Sequence, residues 1–447
     1  MKNVVKTPIV TPENNMTLSL PSTVHIELTT SCCFNCRHCY NFWRKKKTRP
    51  VFMSQNQLDG ILDELIENRI MHVIFTGGEP FLNSVVLLHG LKRLKETGAS
   101  VSCNSSLAAI NSVKQLKKLK DAGLGHILTS LNSHRPEVID YLVSFPGAHR
   151  KIIEGIKNAV SLGIRVSVNM IISESNIVDI YQTAALASKL GAKKFFGTRV
   201  VPHLSEGLDD QKEFLIHQKE ARYIIDELMK AREDFPIQVG TLVPYPFCFV
   251  VKGRDLQRYR DFYSHGCPAG NKMISLNANG NAHACVHEEK NYGNILEIGI
   301  KGVWERMKEW RSGTFFPDDC KVCPLFDECN GGCRLCARAY NGSISSSDNL
   351  RIGLEGGFED PWLSEYSGVK LKHIRCSVPK DLRFMQEAGF SVVNRFGSET
   401  LCVKDNIADI LKKYQKSQEP FLLSDAGISD INLVRILLKE KLLMERN

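Results

Sequence analysis

The chain has 447 residues, 43% of them hydrophobic, and a formal net charge of +9. That length and apolar content suit two or three packed domains, and no apolar run approaches the ~20 residues of a transmembrane helix. Met1–Thr23 lacks the apolar stretch of a signal peptide, so the fifteen cysteines, grouped at ligand spacings, point to a reducing cytoplasm rather than a secreted disulfide scaffold. The basic run Arg44-Lys45-Lys46-Lys47, with Arg49 close behind, reads as a solvated loop or as a surface that attracts an acidic partner. No nucleic-acid motif accompanies it.

From Val24 to about Thr198 strands and helices alternate. Val24–Thr29 reads as a strand. Ser54 opens a helix with Gln57 as its capping-box partner, and Leu58, Ile61, Leu62, Leu65 and Ile66 recur at helical spacing. A strand over 71–76 follows, then a helix over Ser84–Thr97 stopped by Gly98. Val101–Cys103 is a short strand, and Ser112–Ala122 is a helix stopped by Gly123. His126–Leu131 is a strand, followed by the helix His149–Leu162 with Gly163 after it. Ile164–Met170 is a strand, Ile177–Leu190 a helix ended by Gly191, and Lys193–Thr198 a sixth strand. Repeated strand–helix units predict a parallel sheet with crossover helices, with ligands at the C-terminal strand ends. Near the C-terminus, Phe390–Asn394 and Glu399–Val403 read as a hairpin across Arg395–Ser398. Helices are expected near Ala408–Gln415 and Ile431–Lys441.

The chemistry begins after the first strand. Cys32, Cys36 and Cys39 form a C-x3-C-x2-C loop. Three thiolates on one loop can hold three irons of a [4Fe–4S] cube and leave one iron open. The competing readings are a zinc knuckle or a redox cysteine pair, but no fourth zinc ligand is adjacent. About forty residues on, after the second strand, comes Gly77-Gly78-Glu79-Pro80. Glycines admit close backbone approach, and a carboxylate suits an ammonium.

This pair of motifs resembles the radical S-adenosylmethionine (SAM) superfamily, whose signature is the same cysteine loop followed by a GGEP segment. The resemblance implies an α/β fold, a partial (β/α)6 barrel. It implies that Cys32, Cys36 and Cys39 are catalytic cluster ligands and that Gly77, Gly78, Glu79 and Pro80 contact the SAM methionine. Ser130 and Asn132 fall where the family reads Ser-Leu-Asp and are expected at the SAM carboxylate and ribose; Asn132 replaces the usual Asp and carries no charge. The alternative for this stretch is a cap or turn. Asn169 is expected as a further SAM contact, and His38 sits where an aromatic often packs by the adenine, unless it is simply a loop histidine. Cys103-Asn104-Ser105 resembles the family's Thr-Asn-Gly, so Cys103 faces either the cavity or the core. The segment Tyr40-Asn41-Phe42-Trp43-Arg44 either lines the cavity mouth or packs as core.

A second cysteine field runs from Cys267 through Gly280 to Cys285, and then Cys320, Cys323, Cys329 and Cys333. With Gly266-Cys267-Pro268 and Tyr292-Gly293-Asn294 as flanks, it resembles the SPASM extension of peptide-modifying relatives. The alternative is one or two zinc sites. The resemblance implies two auxiliary [4Fe–4S] clusters: a distal one on Cys320, Cys323, Cys329 and a late cysteine, and a proximal one on Cys267, Cys285 and Cys333. The family's late cysteine lies about twenty residues past the run. Here the choices are Cys376, preferred because Asn341–Lys372 can loop out, and Cys336. Cys248 is a possible proximal ligand, or that corner stays open.

The expected organisation is an N-terminal arm (1–22), a radical SAM partial barrel (23–235), a SPASM domain (236–376) and a small α+β extension (377–447), which either grips a peptide or only packs. The resemblance implies a 5′-deoxyadenosyl radical that abstracts hydrogen from a side chain of a ribosomally made precursor peptide. The preferred outcome is an oxidative carbon–carbon, ether or thioether crosslink. The alternatives are a sulfatase-maturase-like protein oxidase, a peptide epimerase with Cys103 as hydrogen donor, a small-molecule dehydrogenase, or an inactive scaffold. An electron donor such as flavodoxin or ferredoxin is expected; nucleic acid and membrane are not.

Overall fold

The computed structural model describes residues 18–40, 49–110, 112–202, 209–251, 259, 262, 266–323, 326–353, 374–387, 390–395, 401–428, 433–434, 437–438 and 442–446. The basic run 44–47, most of the segment after Tyr40 and most of the helix expected over 431–441 lie outside them.

Six strands stand side by side in chain order and run parallel: β1 (Thr23–Glu27), β2 (His72–Thr76), β3 (Ser100–Asn104), β4 (His126–Ser130), β5 (Arg165–Ile171) and β6 (Lys194–Thr198). The crossovers are helical: α1 (Gln55–Glu67), α2 (Ser84–Leu94), α3 (Val113–Asp121), α4 (Pro136–Val143), α5 (Ala148–Ser161) and α6 (Ile180–Lys189). This is a partial barrel of the β/α type. The Ser54–Gln57 capping box is formed, and Leu58, Ile61, Leu62 and Leu65 are buried as their spacing requires. Gly163 and Gly191 take φ of 72° and 89° just past α5 and α6, a geometry that stops a helix.

Two features exceed the expectation. The short helix α4 fills the connection after β4, where the sequence reading assigns no element; its proline at the first turn marks the start. The sheet also continues past both ends. After α7 (Gln218–Asp234), β7 (Gln238–Gly240) joins β6, and β8 (Met273–Leu276) runs parallel to β1 with β9 (Ala282–His283) beyond it. The strands that carry the second cysteine field are thus hydrogen-bonded into the barrel sheet. Residues Leu20–Leu354 accordingly form one compact unit. Within it follow α8 (Phe247–Val251), α9 (Ile295–Arg306), α10 (Asp318–Lys321), α11 (Phe326–Cys329) and α12 (Arg334–Asn341).

The second unit comprises Met1–Ser19 and Glu355–Asn447. Its β10 (Arg375–Ser377) pairs on both sides, with β14 (Phe421–Leu422) and β15 (Met444–Glu445). A domain boundary between residues 376 and 377 would cut this strand, so the division falls earlier, at Leu354. The expected hairpin is present as β12 (Phe390–Arg395) and β13 (Leu401–Val403), joined by an unexpected third strand, β11 (Leu382–Glu387). Helix α13 (Asp405–Ser417) covers the helix expected at 408–415, and its Ala408 and Leu411 enter an apolar core with Cys376, Val393 and Leu437.

Candidate functional site

The first cysteine loop leaves the C-terminal end of β1 and is held by backbone contacts on both flanks. Thr30 N–H donates to the Val51 carbonyl (3.0 Å), while Asn35 and Arg37 N–H groups donate to the Val143 and Leu142 carbonyls (3.1 and 2.9 Å). The Arg37 guanidinium lies 4.1 Å from the Tyr141 ring centre, and Phe34 packs on Phe145. Helix α4 therefore serves as the loop's outer clamp. Cys32, Cys36 and Cys39 are all half-buried along it, and Cys39 N–H donates to the Cys36 carbonyl (3.3 Å).

Gly77–Pro80 supports the same loop from beneath. Gly78 and Glu79 N–H groups donate to the Thr29 and Ser31 carbonyls, both at 2.7 Å. A Cβ at Gly77 would strike the Thr29 carbonyl, and one at Gly78 the Ser31 carbonyl. Both glycines are thus required by close backbone packing. The Glu79 side chain is fully buried and accepts from Ser105 Oγ (2.7 Å), Ser106 N–H (2.9 Å), Ser106 Oγ (2.5 Å) and Phe81 N–H (3.3 Å). Burial raises its pKa against the pull of those hydrogen bonds. The carboxylate braces the turn from inside.

The remaining strand-end residues also have scaffold partners. Asn132 is buried, and its Oδ1 accepts from Ile171 N–H (3.0 Å). Asn169 Oδ1 accepts from Thr198 Oγ1 (2.6 Å), and Ser130 ends β4 half-buried. His38 meets Phe214 edge-on at 6.0 Å. Its Nδ1 is buried with no hydrogen-bond partner, and burial lowers its pKa to about 4, so the ring is neutral. Cys103 is fully buried in register with Phe75, whose ring packs beside Gly90 of α2. Residues in register share a sheet face, so Cys103 lies on the helix-covered side. Its thiol is raised well above the ordinary value by burial, then by the charge of Glu79.

The second field separates into two groups. Cys267, Cys285 and Cys333 sense one another's charge, and burial pushes the Cys267 thiol up to about 12. Cys285 Sγ accepts from His287 N–H (3.4 Å), and Cys333 Sγ from Cys336 N–H (3.4 Å). Cys333 is pushed down to about 7, first by the Cys336 thiol and then, against burial, by Arg199. The other group, Cys320, Cys323 and Cys329, lines a cavity of about 180 Å³ together with Cys248. Cys376, the expected fourth ligand of the distal set, is fully enclosed in the apolar core of the second unit, where burial pushes its thiol up to about 12.

Among the described residues no three Cys, His, Asp or Glu side chains gather as they would around a single metal ion. Thiols spread around a cavity, with N–H groups aimed at sulfur, instead fit a polynuclear cluster in which each thiolate holds one iron.

Sequence reasoning missed what joins the second field to the barrel. Arg199, just past β6, pairs with Asp348 at 2.6 Å, with side chains 1% and 0% exposed. Burial opposes its charge, but Asp348 and the thiols of Cys336 and Cys333 outweigh it and raise its pKa. Asp348 in turn accepts from the Cys333 N–H (2.8 Å). Nothing in the local pattern marks this pair, since its members lie 149 residues apart. Tyr40 from the end of the first loop packs tilted against His287, ring centres 5.2 Å apart, and shares a narrow cavity with Glu289, Leu335 and Arg338. Tyr40 there feels the charges of both Cys39 and Cys285, one from each field.

A parallel partial barrel with a tri-cysteine loop at its strand ends, facing a second cysteine field, defines an iron–sulfur enzyme that works on SAM. The "Radical SAM superfamily" model matches residues 26–187, and the SPASM "Iron-sulfur cluster-binding domain" model matches residues 267–337. The chain belongs to the radical SAM superfamily and carries a SPASM domain. It is 22% identical to a PqqA peptide cyclase of Rhizobium meliloti (79% of this chain, 92% of the relative). It is 23% identical to an AdoMet-dependent heme synthase of Methanosarcina barkeri (72% and 92%) and 26% identical to the subtilosin biosynthesis protein AlbA of Bacillus subtilis (73% and 70%). The fold matches that of Streptococcus suis SuiB bound to S-adenosylmethionine, with TM-score 0.60, 15% identity, and coverage of 75% of this chain and 78% of SuiB. These domains bring a SAM-binding [4Fe–4S] cluster, SAM and auxiliary clusters as cofactors.

Proposed function

We propose that this enzyme matures a ribosomally made peptide by an oxidative side-chain crosslink. When bound, the cofactors supply a 5′-deoxyadenosyl radical at the first loop and one-electron acceptors in the second field. Cys32, Cys36 and Cys39 would hold the first cluster. His38, Gly77, Gly78, Pro80, Ser130, Asn132 and Asn169 would frame the SAM pocket, the glycines through their backbone. Cys267, Cys285 and Cys333 would hold the proximal cluster, and Cys320, Cys323 and Cys329 the distal one. Strand β11 or β13, at the edges of the small C-terminal sheet, would pair with an extended segment of the peptide.

The observation that carries this reading is the shared cavity of Tyr40, His287 and Arg338. Tyr40 feels the charges of both Cys39 and Cys285, which supports a substrate oxidised at the first loop having an electron acceptor in the second field. The placement suits loss of two hydrogens better than a redox-neutral change. The burial of Cys103 on the helix-covered face weighs against epimerisation with that thiol as donor. Among relatives, the name PqqA peptide cyclase and the fold match to SuiB bound to its precursor peptide SuiA (TM-score 0.58, 16% identity, 74% of this chain and 76% of SuiB) point to a peptide. The heme synthase relative motivates a second reading, oxidation of a carboxylated small molecule. No helix among the described residues is long and apolar enough to cross a membrane; action in the cytoplasm, with flavodoxin or ferredoxin as reductant, completes the proposal.

The test uses anaerobically reconstituted protein with SAM, reductant and each short peptide encoded nearby. Release of 5′-deoxyadenosine with a peptide lighter by two hydrogens supports the crosslink, and fragmentation locates it. Unchanged peptide mass with one deuterium gained in heavy water replaces it with epimerisation. Turnover with a porphyrin carboxylate but no peptide favours the second reading.

A further inference from the structure

The distal set is one thiolate short. The run Cys320, Cys323, Cys329 supplies three ligands and a [4Fe–4S] cube has four iron corners. Cys336 belongs to the other group: its N–H donates to Cys333 Sγ (3.4 Å), and it does not line the distal cavity. Cys376 is sealed in the core of the second unit. The cavity already has a fourth thiol, from a segment that lies upstream of the SPASM-matched residues.

We propose that Cys248 is the fourth ligand of the distal auxiliary cluster, with Cys320, Cys323 and Cys329. The inference rests on reading the second cysteine field as a carrier of auxiliary clusters. Cys248 sits on α8, directly after Pro244-Tyr245-Pro246, where Phe249 and Val250 N–H groups both donate to the Pro246 carbonyl (3.0 and 3.2 Å). This short helix points two groups at the same place. Phe247 N–H donates to Cys329 Sγ (3.3 Å), and Cys248 lines the same cavity as Cys329. Phe247, Phe249 and Val250 are fully buried and hold α8 in position. Arg351 lines the same cavity as Cys320 and pairs with Asp319 at 2.8 Å, placing a cation among the thiolates. Amide donors and a nearby cation are what a thiolate-rich cluster needs in its outer shell. With four protein thiolates the distal cluster has no corner for substrate and serves electron transfer alone.

The test uses the full chain with Cys32, Cys36 and Cys39 all replaced by Ala, so that iron reports only the auxiliary sites. After anaerobic reconstitution, Cys248→Ala is compared with Cys336→Ala and Cys376→Ala by iron content and by EPR and Mössbauer spectra. The expected result is that Cys248→Ala loses roughly four irons per chain, or keeps them with a changed EPR signal, while Cys376→Ala matches the background. An unchanged iron content and spectrum for Cys248→Ala overturns the proposal, as does loss confined to Cys336→Ala or Cys376→Ala. A background protein that takes up no iron overturns the underlying reading and this inference with it, and is recognised before any Cys248 variant is made. If Cys248→Ala loses its circular-dichroism signature, Cys248→Asp decides. Retained iron with a shifted spectrum supports ligation, and an unshifted spectrum refutes it.

Discussion

The two cysteine fields are built on opposite plans. The first places Cys32, Cys36 and Cys39 on eight consecutive residues and braces them with a turn, Gly77–Pro80, at the end of the next strand. The second gathers its thiols from α8, the β8–β9 region, α10, α11 and the start of α12, and ties them down with an ion pair to the barrel. A local loop tolerates distant change and fails when its own backbone support is disturbed. A gathered site fails when any of its long-range anchors is removed.

The sharpest way to break this contrast is Gly78→Ala. The added Cβ would strike the Ser31 carbonyl, one residue from Cys32, and neither backbone can yield without moving the loop. A displacement near 1 Å at a reacting centre lowers the rate by about 100-fold. We expect 5′-deoxyadenosine production to fall by that much while auxiliary iron is retained. Activity within about threefold of the parent would show that the loop is not braced from beneath.

Next in size is Asp348→Ala. Removing one member of a fully buried pair leaves the other charge without compensation, which costs about 3–5 kcal/mol. Here it strands Arg199 and frees the Cys333 N–H. Chemical denaturation should show the loss for the unit Leu20–Leu354, and auxiliary iron should drop before iron at the first loop. Equal loss at both fields would mean that the anchor serves the barrel as a whole.

The same contrast explains what the sequence disclosed. The first loop, its glycine turn and six strand–helix units were legible because each is local: a spacing, a cap, a period. Even there the serines that hold the Glu79 carboxylate, Ser105 and Ser106, are invisible in the local motif, because they come from the next strand's end. In the second field the resemblance supplied the order of the cysteines and the two sets of three, but not the thiol that shares the cavity of Cys320, Cys323 and Cys329. Cys248 looks like one more apolar residue in Phe247-Cys248-Phe249-Val250-Val251, and only the fold brings it to Cys329. Cys376 is a candidate by residue type, reached if Asn341–Lys372 loops out, yet its strand neighbours Ile374 and Val378 share an apolar core with it. A cysteine inside an apolar run, just after a Pro-x-Pro turn, was the signal available for Cys248.

The smallest expected effect concerns Glu27, at the end of β1 before the first loop. It is 2% exposed, its Oε2 has no hydrogen-bond partner, and burial raises its pKa from the ordinary 4.5 to about 8. The sign follows from linkage. Between those two values the folded protein keeps a proton that the unfolded chain has released, so stability falls as pH rises through the window from 4.5 to about 8. Glu27→Gln keeps the shape and removes the titration. The variant should therefore match the parent near pH 5 and melt higher than it at pH 8, with the gap widening steadily between. Because both proteins carry the same thiols, the difference curve cancels the pH response of the cysteine fields. A gap that is constant across the range would mean that Glu27 is ionised in the fold, with its charge balanced by a partner at the mouth of the barrel.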